Sequence, residues 1–338
     1  MDRYILIPIL VSFLVTLFLL PYWIRKAKEI GLVWEDMNKF SKKLVSGSGG
    51  ITVIFGFVIG LLIFIAYGVF VLKSTNSLLV EVFALLTVVL LLSSIGFIDD
   101  LFGWRKGGLS RRTRLILTAF ASIPLIAINA GKSSIVLPFF GQIDLGLMYP
   151  LFLIPLGIIG ATTTYNFLAG FNGLEAGQGI LILSASAIVA YFTGNSWLSV
   201  VAICMCFSLF AFLIFNFCPA KIFPGDVMTY PVGGLIAIMC IIGNFEKIAV
   251  FFFIPVIIEF FLKGRGKYIQ QSFGKPNKDG SLDLRYEKIY GLTHLAIYLM
   301  KKFGIKATEI KVVLLIWTFQ LIIILIGFFI FREGIFLR

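Results

Sequence analysis

Asp99 and Asp100 stand side by side in the run GFIDDLFGWRK at 96–106. Two adjacent carboxylates at the edge of an apolar stretch repel each other and resist desolvation, and a divalent cation or a cationic substrate relieves that cost. A solvated helix end is the ordinary alternative. Five basic residues follow: Arg105, Lys106, Arg111, Arg112 and Arg114. Acid beside base suits a metal-phosphate ligand, with carboxylates on the cation and basic groups on the phosphates. A plain basic loop accounts for most of the five. A second constellation, NFLAGFNGLEAG at 166–177, sets Asn166, Asn172 and Glu175 among small residues. Small residues let a ligand approach the backbone, and amides read a base or a sugar. A third, PAKIFPGD at 219–226, ends on Asp226, which reads alone as a helix N-cap and with the other acids as a metal ligand. The fourth is the long stretch 263–309, with KGRGK and then the amphipathic LTHLAIYLMKKFG, which carries the chain's one histidine, His294.

These residues hang on a membrane scaffold. Of 338 residues, 59% are hydrophobic and 14% charged, and the mean hydropathy is +1.01. That excludes an ordinary soluble domain, a disordered chain and a disulfide scaffold. The apolar runs are continuous rather than alternating, which argues against a membrane β-barrel. The expected fold is all-α, one integral membrane domain over 1–338. Ten candidate spans fall near 4–24, 50–72, 77–98, 115–131, 146–165, 177–194, 197–217, 228–244, 247–262 and 310–331. The first is too long for a signal peptide and has no small-residue cleavage site. The four cysteines, Cys204, Cys206, Cys218 and Cys240, read as small buried hydrophobes.

Charge orients the spans. The loops after the first and third spans hold six and five Lys/Arg, the 263–309 loop is rich in both and the loop after the seventh span holds Lys221, whereas the loops after the even-numbered spans hold only Lys73, Lys132 and Lys247. The positive-inside rule puts the loops after the odd-numbered spans in the cytoplasm and both termini outside. Asp36, Asn38, Asp99, Asp100, Asn166, Asn172, Glu175 and Asp226 fall in the same loops or at the span ends feeding them. One cytoplasmic face therefore gathers the acids, amides and bases. The formal charge of +12 is read as contact with lipid phosphates or an anionic substrate rather than nucleic acid.

Taken together, DMNK at 36–39, the pair at 99–100, NFLAGFNGLEAG, PAKIFPGD and the last basic loop resemble the polyprenyl-phosphate N-acetylhexosamine-1-phosphate transferases. AGFNGLEAG and a lone histidine, in place of a DGLDGL motif and an HHH run, resemble the archaeal and eukaryotic dolichyl-phosphate branch. The resemblance implies ten membrane helices, a cytoplasmic active site and Mg²⁺ dependence, with Mn²⁺ as a substitute. It implies transfer of GlcNAc-1-phosphate from UDP-GlcNAc to dolichyl phosphate, the first step of lipid-linked oligosaccharide assembly for N-glycosylation. The setting implied is an archaeal cell membrane or the endoplasmic reticulum, with membrane lipid as partner and a homodimer left open. By position, Asn166 and Asp226 match the metal-contacting residues and Asp99 and Asp100 the essential aspartate pair. Asn172, Phe223 and the stretch Asp36, Met37, Asn38 match positions beside the uracil. Glu175 matches an acidic position without an assigned role. Arg114 stands near the family's lysine, and Thr163 stands where the family has an asparagine. Arg265, Lys267 and His294 are the candidates for the diphosphate.

The expected chemistry is attack by a lipid-phosphate oxygen on the phosphorus bearing the sugar, with UMP leaving and Asp99 or Asp100 orienting the lipid phosphate. Phe251, Phe252, Phe253, Phe260 and Phe261 are candidates for lining a lipid groove, and Glu259 is expected to face protein, a cavity or the interface. Related transfers of another UDP-hexosamine or a cell-wall precursor are the alternatives within the family. A cation-coupled transporter is the alternative outside it. Its midplane acids would have to be Glu81 and Glu259.

Overall fold

In hydrocarbon every backbone amide must be satisfied inside its own segment, so long apolar runs become helices. The computed structural model describes residues 6–71, 73, 78–137 and 141–336; the side chains of 105–106, 134–137 and 141–143 lie outside the described set. In chain order the helices are α1 (Leu6–Glu29), α2 (Gly50–Phe70), α3 (Leu78–Lys106), α4 (Arg111–Ala121), α5 (Ile123–Ala127), α6 (Ile154–Asn166), α7 (Leu174–Phe192), α8 (Ser196–Asn216), α9 (Asp226–Gly243), α10 (Glu246–Phe252), α11 (Ile254–Arg265), α12 (Leu292–Lys302), α13 (Glu309–Ile330) and α14 (Arg332–Phe336). Among the described residues, seven are long and apolar enough to cross a membrane: α1, α2, α3 over Leu78–Trp104, α7, α8, α9 and α13.

The other three stretches expected to span are each helical but broken, with a proline at each break. The stretch 115–131 divides into α4 and α5, with Pro124 in the first turn of α5. The stretch 146–165 opens as a π-helical turn at Tyr149–Leu153 that runs into α6, with Pro150 and Pro155 in the opening turns. The stretch 247–262 divides into α10 and α11 at Phe253, with Pro255 opening the second piece. Proline has no N–H and is accommodated in a first turn, so each break is a local restart rather than a lost segment. At the last break, Gln320 of α13 donates from Nε2 to the Phe252 carbonyl at 2.8 Å and so supplies a partner for main chain beside the break.

Among the described residues, three two-stranded antiparallel ribbons join the helices: β1 (Val33–Glu35) with β2 (Leu44–Ser46), β3 (Ser134–Leu137) with β4 (Gly141–Asp144), and β5 (Lys275–Pro276) with β6 (Leu282–Asp283). The first and third cover the end of the bundle where α1, α3, α6, α8 and α11 finish and α2, α4, α7, α9 and α13 begin. At that end Ser46 bridges to Ile222, and the main chain of Gly49 and Gly50 donates to Phe223 and Pro224 at 2.9 Å. The Pro-Gly-Asp turn is thus held by backbone against the start of α2. Leu6 and α14 lie at the other end, where Phe336 packs edge-on against Phe192 at the close of α7.

One stripe of α3 positions α9. Pro231 lies inside α9 and lacks an N–H for the Val227 carbonyl; Ser93 of α3 donates to that carbonyl at 3.3 Å. One turn on, Gly96 brings α3 so close that a Cβ there would sit 2.2 Å from the Asp226 carbonyl oxygen. One further turn on stands Asp100. The spacing 93, 96, 100 is one helical face.

Candidate active site

Asp100 meets the start of α9 directly. Its Oδ1 accepts from the Asp226 amide at 2.8 Å and its Oδ2 from Val227 at 3.4 Å. The residue at the cap position, Gly225, has no side chain to do this and takes φ of 72°, and a Cβ there would lie 2.2 Å from Asp100 Oδ2. Asp100 therefore caps α9 from a neighbouring helix, with a charge suited to the positive end of the helix dipole.

Asp226, so placed, faces three groups. Asn166, the last residue of α6, donates from Nδ2 to Asp226 Oδ1 at 2.7 Å and to Thr229 Oγ1 at 2.8 Å. Arg114, in the first turn of α4, stands 3.9 Å from Asp226 Oδ2 and 3.2 Å from Asp99 Oδ2. The Asp99 carboxyl is itself within hydrogen-bond reach of Asp226. Asp99 Oδ1 also accepts from the Leu109 amide at 2.5 Å, and Arg114 Nε donates to the Leu109 carbonyl at 3.2 Å, which folds the 107–110 turn against the centre. Arg114 further bonds the buried Tyr230 hydroxyl, one turn along α9 from Asp226. Residues far apart in the chain thus share one centre: Asp99, Asp100, Arg114, Asn166 and Asp226.

The donors suit a small hard cation. The centre offers an amide oxygen and carboxylate oxygens with no soft ligand, and among the described side chains it brings three carboxyl groups together with one cationic group, Arg114, beside them. Among the described residues no three His, Cys, Asp or Glu side chains form a closed cage. Asp99 is occupied by Arg114 and Leu109, and Asp100 by α9. Asn166 and Asp226 remain as the side chains that could hold such a cation, and two oxygen donors with coordination left for phosphate and water are the kind of site that Mg²⁺ accepts.

The other motif residues form a second, drier cluster. Asp36, Asn38 and Asn172 are buried. Asn172 Nδ2 donates to Asp36 Oδ2 at 2.9 Å, Asp36 Oδ1 accepts from the Asn38 amide at 3.1 Å, and Asn38 Nδ2 donates to the Gly170 carbonyl at 2.7 Å. Glu175 Oε1 accepts from the Gly170 amide at 3.0 Å and so closes the 167–173 turn. These side chains fasten one another and set the backbone next to Asn166. Met37 is half-buried in the 36–39 turn, and Phe223 is half-buried on the backbone ladder to Ser46.

The 263–309 segment folds over the same end. Gly274 donates to Asn38 Oδ1 at 3.0 Å and Ser272 Oγ to the Phe167 carbonyl at 3.4 Å, which lays residues 272–274 across the 167–172 turn. His294 is buried, with Nδ1 accepting from the Tyr290 amide at 3.3 Å and Nε2 3.1 Å from the Phe273 carbonyl. Burial pushes its ring below the ordinary histidine range, and the two contacts describe a neutral ring protonated on Nε2. Arg265 and Lys267 are exposed, and Arg111 donates to the carbonyls of Lys267 and Tyr268 at 3.2 and 3.0 Å. Tyr268 stacks on Phe167 with centroids 5.4 Å apart, and Phe260 completes the trio. Of the five candidate groove phenylalanines, Phe252 and Phe253 are buried in the protein and only Phe261 is widely exposed. Glu259 is buried, as expected of an acid at that depth, and accepts from the Leu292 amide at 2.5 Å.

Glu309 and Tyr230 are site-end residues that the sequence reading passed over, and Lys39, the last residue of DMNK, was given no role there. Glu309 is an acid in the first turn of a helix, which looks like an ordinary dipole partner. Only its contacts, described below, set it apart.

Residues 82–244 match glycosyl transferase family 4. A Saccharolobus solfataricus protein named "Putative UDP-N-acetylglucosamine–dolichyl-phosphate N-acetylglucosaminephosphotransferase" is 36% identical over 96% of this chain and 95% of its own. A Dictyostelium discoideum protein named UDP-N-acetylglucosamine–dolichyl-phosphate N-acetylglucosaminephosphotransferase is 29% identical over 73% of this chain and 68% of its own. The phospho-N-acetylmuramoyl-pentapeptide-transferase of Enterococcus faecalis is 30% identical over 72% of this chain and 76% of its own. The matched stretch spans Asp99, Asp100, Arg114, Asn166, Asn172, Glu175 and Asp226, and with a relative so similar over nearly its whole length the chain belongs to glycosyl transferase family 4.

Proposed function

We propose that this protein transfers GlcNAc-1-phosphate from UDP-GlcNAc to dolichyl phosphate, releasing UMP and leaving the sugar on a lipid diphosphate. The observation that carries this reading is the convergence of Asn166, Asp226, Asp99 and Arg114 at the end of the bundle from which the basic loops emerge. The relatives' names supply the substrates.

Asn166 and Asp226 would hold Mg²⁺, which when bound neutralises charge on the diphosphate. Asp100 fixes Asp226 through the first amides of α9. Asp99 holds Arg114, and the guanidinium sits where a phosphate oxygen can replace carboxylate as its partner. The lipid phosphate is already largely ionised at neutral pH, so the protein's task is alignment: its oxygen attacks the phosphorus bearing the sugar, and the bond to UMP breaks. In this reading α4–α5, the Tyr149–Asn166 segment and α10–α11 complete ten crossings. The site faces the cytoplasm, and both described chain ends lie outside. Supporting this, Arg114 sits at the site end while Gly131 lies against the Ile241 carbonyl near the far end of α9.

The test is purified protein with labelled UDP-GlcNAc and dolichyl phosphate. UMP release that requires both the lipid and Mg²⁺ supports the assignment. Uptake into vesicles without chemistry would replace it with transport.

A further inference from the structure

The carboxylate of Glu309 collects bonds from three other stretches of chain. Oε1 accepts from the Asn172 amide at 2.9 Å and from Asn38 Nδ2 at 3.4 Å. Oε2 takes the Lys39 ammonium and the Cys218 thiol, the latter at 3.3 Å. Lys39 Nζ also donates to Cys218 Sγ at 3.1 Å, which closes a triangle. The side chain is 4% exposed. It has no capping duty on its own helix, because Thr308 accepts the Lys311 amide there. The 36–39 turn, the 167–173 turn, the α8–α9 connection and the start of α13 therefore meet on one buried anion.

We propose that Glu309 is a positioning residue for nucleotide-sugar binding, which sets the 167–173 turn against the 36–39 turn. This rests on the reaction proposed above. A buried carboxylate with a full set of donors holds each of them in a fixed place, and charge-assisted bonds of this kind are the strong ones. The Asn172 amide is six residues from Asn166, so a shift of the turn moves the substrate-facing end of α6. Lys39 keeps the anion paired: burial works against its charge, but the bond and charge of Glu309 hold it well above the usual lysine range. Cys218 reports on the pair with opposite signs. Burial and the Glu309 charge push its thiol up, while Lys39 pulls it down.

The test uses two readouts on full-length protein. In a background with Cys204, Cys206 and Cys240 replaced by alanine, Glu309→Gln is expected to speed alkylation of Cys218 by a maleimide at fixed pH, and Lys39→Met to slow it. In the UMP-release assay Glu309→Gln is expected to raise KM for UDP-GlcNAc about tenfold, the loss of one charge-assisted hydrogen bond, with kcat within about threefold of the parent. A merely structural glutamate would lower the melting temperature and kcat and leave KM in place, and that result overturns the proposal, as do unchanged alkylation rates in both variants. Should Glu309→Gln not fold, Lys39→Met carries the same test, with a smaller rise in KM expected and an unmoved KM overturning it. An inactive parent protein removes the assigned reaction and this inference together, whereas an active parent with an indifferent Glu309→Gln removes this inference alone.

Discussion

At the scale of single residues, the aspartates Asp226 and Asp100 divide into different tasks. Asp226 is the acid that Asn166 and Arg114 address, whereas Asp100 is turned toward the α9 amides. Asp226→Ala should cut turnover by about 10²–10³, the usual cost of removing a group that organises charge at the reacting centre. Asp100→Asn keeps one carbonyl oxygen for the Asp226 amide and should lose much less, while Asp100→Ala should also lower stability by about 1–2 kcal/mol, as a lost cap does. Steady-state turnover and thermal unfolding of the three variants decide this; equal losses in Asp100→Asn and Asp226→Ala would return Asp100 to the chemistry. His294 yields a pH expectation. Burial lowers its pKa in the folded state, so folding favours the neutral ring, and that contribution is complete above the ordinary value near 6.5. It declines as pH falls below that value, because the unfolded chain takes up the proton first. The melting temperature should drop on acidification through this window, and His294→Gln should flatten the drop.

At the scale of elements, the approach of α3 to α9 sets the site, and glycine permits it. Gly96→Ala places a methyl group 2.2 Å from the Asp226 carbonyl oxygen, a backbone atom that cannot step aside. It should cost about 1–3 kcal/mol and lower turnover by displacing the Asp100–Asp226 contact. Gly103→Ala on the same helix meets nothing within 4 Å and should be neutral or stabilising, since alanine is the better helix former. Unfolding curves of the pair check this, and equal behaviour would show that the α3–α9 spacing is not held at Gly96. This scale also marks what the sequence could tell. Spans such as 50–72 and 197–217 were legible because continuous apolar runs have one solution in lipid. The breaks at Pro124 and Pro255 were less so, because apolar length alone does not say whether a proline restarts or kinks a helix. The motif order placed Asn166 and Asp226 at one end, but not the bond between them. Glu309 was invisible, since a first-turn acid looks the same whether it serves its own helix or three distant loops.

At the scale of the whole molecule, charge and connectivity point the same way. Basic side chains such as Lys42, Lys278, Arg265 and Lys267 are exposed at the end that carries Asp226 and Asn166, while Leu6 and α14 lie at the opposite end. Lysine and arginine flanking short loops resist translocation, so the protein should insert with this end toward the cytoplasm, where a water-soluble nucleotide sugar is available. Single cysteines in a background without the native four give the measurement. Lys278→Cys, on the exposed turn between β5 and β6, should resist an impermeant maleimide in intact cells and react after permeabilisation. Glu333→Cys, exposed in α14, should react in intact cells. The reversed pattern would put the carboxylate centre on the side without nucleotide sugar, and the proposed reaction would then lack its donor however well the residues are aligned.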